Sequence, residues 1–110
     1  MTSKYKLSIC IPTYNRADYI GETLSSIISQ SGDDIEIVIV DGASTDNTEG
    51  VVNEFQGRFE NIHYHREKKN NGVDADLAKS VALAQGEYCW LMLSEFVMYF
   101  MNSQLKYHIK

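Results

Sequence analysis

Asp41 ends the run Ile-Glu-Ile-Val-Ile-Val-Asp that starts at position 35, and Gly42 follows it. A carboxylate placed there projects from the end of a buried strand, beside a backbone that a ligand can approach closely. It can accept hydrogen bonds from a base or a ribose, but it cannot by itself attract a phosphate. The same side chain can instead tie down its own loop through an Asx turn, and the residues leave both roles open. Asp46 falls in the first turn of the next expected helix, where it favours the macrodipole whatever the function. Arg16 and Lys79, with Arg66, Lys68 and Lys69, are the cations that could meet a diphosphate, and helix N-termini add amide donors. The stretch Arg66-Glu-Lys-Lys reads equally as a solvated loop. His63 and His65 share one face of a short strand, a spacing that suits a metal, but no third ligand lies near them in sequence. They read as surface or half-buried histidines. Cys10 and Cys89 each lie inside an apolar run and read as buried, inert thiols, since nothing local would lower their pKa.

These side chains need elements to hold them. Leu7 to Ile11 reads as a strand buried on both faces, closed by Pro12, which cannot donate to a ladder. Asn15 is placed as the N-cap of a helix over about residues 16–30, with Asp18 in its first turn and Ile20, Leu24, Ile27 and Ile28 at helical spacing. A second strand covers residues 35–41. Ser44 or Thr45 would cap the next helix, whose apolar side is Val51, Val52 and Phe55 and whose stop is near Gly57. Residues 61–65 form a shorter third strand, 73–84 a third helix, and 87–93 a fourth strand. This alternation predicts an α/β fold of three layers, α/β/α, with a mainly parallel sheet. Ligands of such sheets collect beyond the carboxyl ends of the strands, so the loops after the strands form one rim. A strand order of 3-2-1-4 would make the strands of Cys10 and Cys89 neighbours.

The chain of 110 residues has the size of one domain, and its formal charge of −5 argues against a nucleic-acid or anionic-membrane surface. The longest apolar run, residues 88–101, is interrupted by Ser94 and Glu95 and falls short of the roughly 20 residues of a spanning helix. No signal-peptide core is seen, and the chain reads as reduced and cytoplasmic.

Two common nucleotide folds are tested by their loops. A dinucleotide-binding unit shows G-x-G-x-x-G after its first strand and a P-loop shows G-x-x-x-x-G-K-[ST]; the first loop here, Pro-Thr-Tyr-Asn-Arg-Ala-Asp, has neither. That loop also lacks the Ser, Thr and Gly richness of a flavodoxin-like site. By contrast, SICIPTYNRADYIGETLSSIISQ, EIVIVDGASTDNT and NNGVDADLAKSVALAQGEYCWLM, in that order, resemble the amino-terminal half of a family 2 glycosyltransferase of the GT-A fold, over about residues 7–93. The wording is most similar to the abequosyltransferase-like branch of bacterial O-antigen synthesis.

The resemblance implies a nucleotide-sugar donor linked through CDP or UDP, a divalent Mg²⁺ or Mn²⁺ ion on its diphosphate, and displacement at the anomeric carbon by a hydroxyl of a glycan or lipid-linked acceptor. It implies that Pro12, Thr13 and Tyr14 line the base pocket, that Arg16 lies near the phosphates and that Asp41 reads the base. Ser44 and Asp46 would support that pocket, and Asp74, Asp76 and Lys79 match the loop and helix flanking the diphosphate. Leu77 stands where many members carry an arginine. After the fourth strand the family's acidic metal cluster is replaced by Leu-Met-Leu-Ser-Glu-Phe-Val, which leaves Glu95 as the metal ligand. Residues 1–95 thus read as a donor-binding domain and 96–110 as an off-pattern tail, with no residue assignable as catalytic base. The expectation is a transferase, through truncation or an altered reading frame, that is weakly active alone, works in the cytoplasm or at the inner face of the membrane, and self-associates through an uncovered apolar edge. The alternative is a non-catalytic nucleotide-binding module acting with a partner chain.

Overall fold

The four apolar runs pair as strands in a computed structural model that describes residues 4–93. The elements run β1 (Tyr5–Thr13), α1 (Ala17–Ser29), β2 (Ile35–Asp41), α2 (Thr48–Gln56), β3 (Ile62–Arg66), α3 (Val73–Leu83) and β4 (Gly86–Leu91). All pairings are parallel, in the order β3-β2-β1-β4. Helices cover both faces, so the two central strands read as continuous apolar runs.

Side-chain alternation sorts the layers. Leu7, Ile9 and Ile11 of β1 and Ile35, Ile37 and Ile39 of β2 join Ile20, Leu24 and Ile27 of α1 and Val52 and Phe55 of α2 in one core. The intervening positions face α3, and this second layer is partly polar: the Cys10 thiol bonds the Ser80 carbonyl at 3.6 Å. At the start of the strands, far from the rim, Glu36 is fully buried. Its Oε2 accepts from the Ser8 hydroxyl and the Gln85 amide, both at 2.5 Å, while Gly86 donates to Ser8 Oγ at 2.8 Å. His63 Nε2 lies 3.3 Å from Glu36 Oε1 without hydrogen-bond geometry.

β1 is longer than expected. Pro12 does not end it, because the Cys10 carbonyl accepts from Met92 on the β4 side, and alternation turns the Pro12 nitrogen to that side too. The β1–β4 pairing stops at Cys10 opposite Leu91, so the missing N–H costs no ladder bond, and the strand runs on beside β2 until the Thr13 carbonyl accepts from Gly42. Cys10 and Cys89 do lie on adjacent strands, two residues apart in register. Cys10 is buried as expected, whereas Cys89 is only half-buried. Burial, and then the neighbouring Cys89, push the Cys10 thiol up to about 12. His63 is half-buried and His65 exposed. Among the described residues no helix is long and apolar enough to cross a membrane. Glu95 and the 96–110 segment lie outside the described residues.

Candidate functional site

The loops after β1 and β2 are stitched together by their side chains. Asn15 sits in the left-handed region at φ 51°, and its Oδ1 accepts from the Thr45 and Asp46 amides at 2.7 and 3.2 Å. In return Ser44 Oγ accepts from the Asn15 amide at 2.8 Å, and Thr48 Oγ1 accepts from the Arg16 amide at 3.0 Å. Asp46 joins both helices: its Oδ2 takes the Ala17 amide at 3.1 Å, and its Oδ1 takes the Thr48 amide at 3.0 Å and hydroxyl at 2.5 Å. Burial alone would raise the Asp46 pKa, but the hydrogen bonds from Thr48 and Ala17 favour the anion and hold it below 3.8.

This arrangement corrects the expected caps. Arg16 occupies the N-cap position of α1 and Asn47 that of α2, neither with a side-chain cap bond. Asn15 caps the opposite loop instead of its own helix, because its left-handed backbone turns the side chain across the rim. Neither Ser44 nor Thr45 caps α2; the Ser44 hydroxyl is spent on Asp41.

Asp41 is fully buried beneath the second loop. Its Oδ1 accepts from the Ser44 amide at 2.9 Å and hydroxyl at 2.6 Å, while Oδ2 accepts from the Tyr64 hydroxyl at 2.5 Å. Burial, then the bond to Asp41, push the Tyr64 phenol well above its usual range. Arg66, opposite Asp41 in register, donates to the Ser44 carbonyl at 2.6 Å and lies 3.6 Å from Glu49. Of the two roles open to Asp41, loop closure is the one its contacts display. Tyr64 was not singled out in the sequence, although alternation from Ile62 puts it on the face of Asp41.

At the carboxyl ends of the strands opens a cavity of about 410 Å³, between Pro12 and Thr13 at the end of β1 with Tyr14 and Arg16 of the loop after it, and Asn70 and Gly72 of the β3–α3 loop with Val73 and Asp76 of α3; Leu93 lies beyond β4. A smaller hollow of about 230 Å³ lies at the opposite end of the sheet, against the α1–β2 turn and away from every loop that follows a strand. The rim cavity therefore gathers Pro12, Thr13, Tyr14, Arg16 and Asp76. Asp41, Ser44 and Asp46 are outside its described lining and bond the loops after β1 and β2 instead, Asp74 is exposed in the first turn of α3, and Lys79 is paired with Glu67 at 2.6 Å. The Arg16 guanidinium donates to the Tyr14 and Asn15 carbonyls, each at 3.2 Å.

Asp76 is only 4% exposed, and its Oδ2 would lie 2.7 Å from a Cβ at position 42, so a side chain there would have to displace the carboxylate. Burial raises its pKa, with Glu67 and Asp41 adding to the rise and Lys79 opposing it. Asn70 bonds the Gly72 amide at 2.8 Å, and Gly72, at φ 96°, starts α3. No local pattern distinguished Asn70 within its polar loop. Among the described residues no three potential metal ligands stand together. With both Asp41 oxygens engaged, those residues do not form a metal cage.

The chain's likenesses agree with this geometry. The profile of Glycosyl transferase family 2 matches residues 8–93. Abequosyltransferase RfbV of Salmonella typhimurium is 45% identical over 92 residues, which cover 81% of this chain and 28% of that protein. The poly(ribitol-phosphate) beta-glucosyltransferase of Bacillus spizizenii is 36% identical over 86 residues, covering 76% of this chain and 14% of its own. S. aureus TarS 1–349 in complex with UDP superposes with a TM-score of 0.76 at 30% identity, over 82% of this chain and 27% of that one. The mannosyltransferase PcManGT from Pyrobaculum calidifontis, in complex with GDP-Man and Mn²⁺, gives 0.76 at 27% identity, over 86% and 28%. The chain thus spans less than a third of each of these proteins. Parallel strand order, a rim cavity built from the loops after the strands and these matches together show that the chain belongs to glycosyl transferase family 2 and has the GT-A fold.

Proposed function

We propose that residues 4–93 bind the nucleotide-sugar donor of a glycosyl transfer to a hydroxyl of a glycan or lipid-linked acceptor, in the synthesis of O-antigen, lipopolysaccharide or another bacterial surface polysaccharide. The observation that carries this reading is the rim cavity, whose walls are the end of β1 with the loop after it and the β3–α3 loop with the first turn of α3. Support comes from the abequosyltransferase likeness and from neighbours solved with UDP and GDP-Man. Pro12, Thr13 and Tyr14 supply a partly apolar wall for a base, with CDP and UDP the carriers favoured. Ser44, Asp41 and Asp46 act indirectly, by holding the loops after β1 and β2.

The phosphates are assigned to the cationic side of the cavity. Arg16 would exchange its bonds to two loop carbonyls for phosphate oxygens, and Lys79 would exchange Glu67. Asp74 stands at the opening of α3, whose N-terminal amides favour an anion. These groups bind and orient the donor; the displacement itself needs a general base within hydrogen-bond reach of the acceptor hydroxyl, which none of these residues supplies. A Mg²⁺ or Mn²⁺ ion would neutralise charge on the leaving diphosphate, and Glu95 is the ligand proposed for it. Action in the cytoplasm or at the inner membrane face fits the same substrates.

β4 has no strand on its outer side among the described residues, and Leu91 and Leu93 are exposed there. We assign self-association to this edge; light scattering that shows a monomer at high concentration removes the assignment. The donor reading is tested by calorimetric titration of the chain with UDP, CDP and GDP, with and without Mn²⁺. Saturable binding of one of them is expected, and no binding by any would overturn the reading.

A further inference from the structure

Among the described residues Asp76 is the one carboxylate on the wall of the rim cavity, 4% exposed, and no donor among them bonds it. Lys79, the cation that opposes the rise in its pKa, is held by Glu67 at 2.6 Å. Buried carboxylates without a partner are costly, so one that faces a cavity is poised for a ligand group. What kind of group follows from the surroundings. Glu67 and Asp41 already disfavour its charge, so diphosphate oxygens beside it would be repelled. A bare metal would find no second and third ligand among the described residues. A neutral N–H or O–H donor remains.

The position of the carboxylate is set from below. A Cβ at Gly42 would lie 2.7 Å from Asp76 Oδ2, closer than real Cβ contacts allow. Helix α3 therefore delivers a carboxylate into the space that a side chain at the tip of β2 would otherwise fill. We propose that Asp76 accepts a hydrogen bond from the nucleoside of the donor, from its base edge or its ribose hydroxyls, and that Gly42 is the residue that admits it. This moves Asp76 from the diphosphate, where the resemblance put it, to the nucleoside, and it rests on the donor-binding reading above.

The test uses the whole chain and the tightest binder among UDP, CDP and GDP, titrated calorimetrically beside thermal melts. Asp76→Asn and Asp76→Ala are expected to weaken binding about ten-fold or more, while the melting temperature rises because an unpaired buried charge has gone. Gly42→Ala should weaken binding similarly by displacing the carboxylate. The double variant Gly42→Asp with Asp76→Ala carries the carboxylate just after β2 instead and should recover most of the lost affinity. Repeating the titrations with the 2′-deoxy and the base-N-methylated nucleotide identifies the donor group, as the analogue to which wild type and Asp76→Ala bind alike. Wild-type affinity in Asp76→Ala, or a loss of affinity accompanied by a lower melting temperature, overturns the proposal and leaves donor binding standing. A wild-type chain that binds none of the three nucleotides overturns both.

Discussion

The Tyr64 hydroxyl reaches across from β3 to donate to Asp41 Oδ2 at 2.5 Å, while Ser44 grips the other oxygen with its amide and hydroxyl. The carboxylate that ends β2 is thereby held by its own loop and by a neighbouring strand. Tyr64→Phe keeps the ring and removes the donor. It is expected to destabilise the chain by about 1–3 kcal/mol, the cost of leaving a buried charged acceptor short of a partner. Urea denaturation followed by circular dichroism measures it, and an unchanged midpoint would show that the bond contributes nothing.

Asp46 ties the first turns of α1 and α2 at once. Asp46→Ala should cost about 1–2 kcal/mol, in the range of a lost helix cap. Because its folded pKa lies below 3.8, the unfolded chain binds the proton more tightly. Its contribution is therefore present above pH 3.8 and is lost as the pH falls through the folded value. Melts across the acid range should show a shallower decline in Asp46→Asn than in wild type.

Glu36 holds the turn between α3 and β4 to the start of the sheet, through the Gln85 amide and through Ser8, which in turn receives Gly86. Glu36→Ala strands two donors in a buried place, and a loss of about 2–4 kcal/mol is expected. Hydrogen exchange should show the Gln85 and Gly86 amides losing protection first. Equal loosening of β3 would mean that Glu36 supports the whole sheet evenly.

Cys10 is buried, and its thiol is pushed up to about 12. In the native chain at mildly alkaline pH it should resist iodoacetamide, since the thiolate is the nucleophile. Mass spectrometry of the alkylated chain, before and after urea, checks this. Rapid native labelling at Cys10 would contradict the buried placement.

The layers were legible because alternation and helical spacing are local. Ile9, Ile11, Ile37 and Ile39 announce strands buried on two faces, and Ile20, Leu24 and Ile27 announce one helix stripe. The caps were not legible, because Asn15 and Asp46 serve amides in each other's loops, a relation invisible until two strands lie side by side. Pro12 misled for a similar reason: whether its missing N–H matters depends on which neighbour that side of β1 faces. Gly42 and Asp76 meet only because α3 crosses back over the strand ends. Tyr64 is different. Its alternation with Ile62 was readable, and pairing it with Asp41 needed only the strand order.

The mutual bonding of the loops after β1 and β2 has a kinetic side. Asn15, Ser44, Asp46 and Thr48 bond reciprocally across the gap, so freeing one loop means breaking the anchors of the other. The ordering cost of this wall is met when the chain folds, not when a nucleotide arrives. Binding on that side should proceed as docking onto a preorganised surface, with little entropic penalty from the loops, and any slow closing step would belong to the wall formed by the β3–α3 loop.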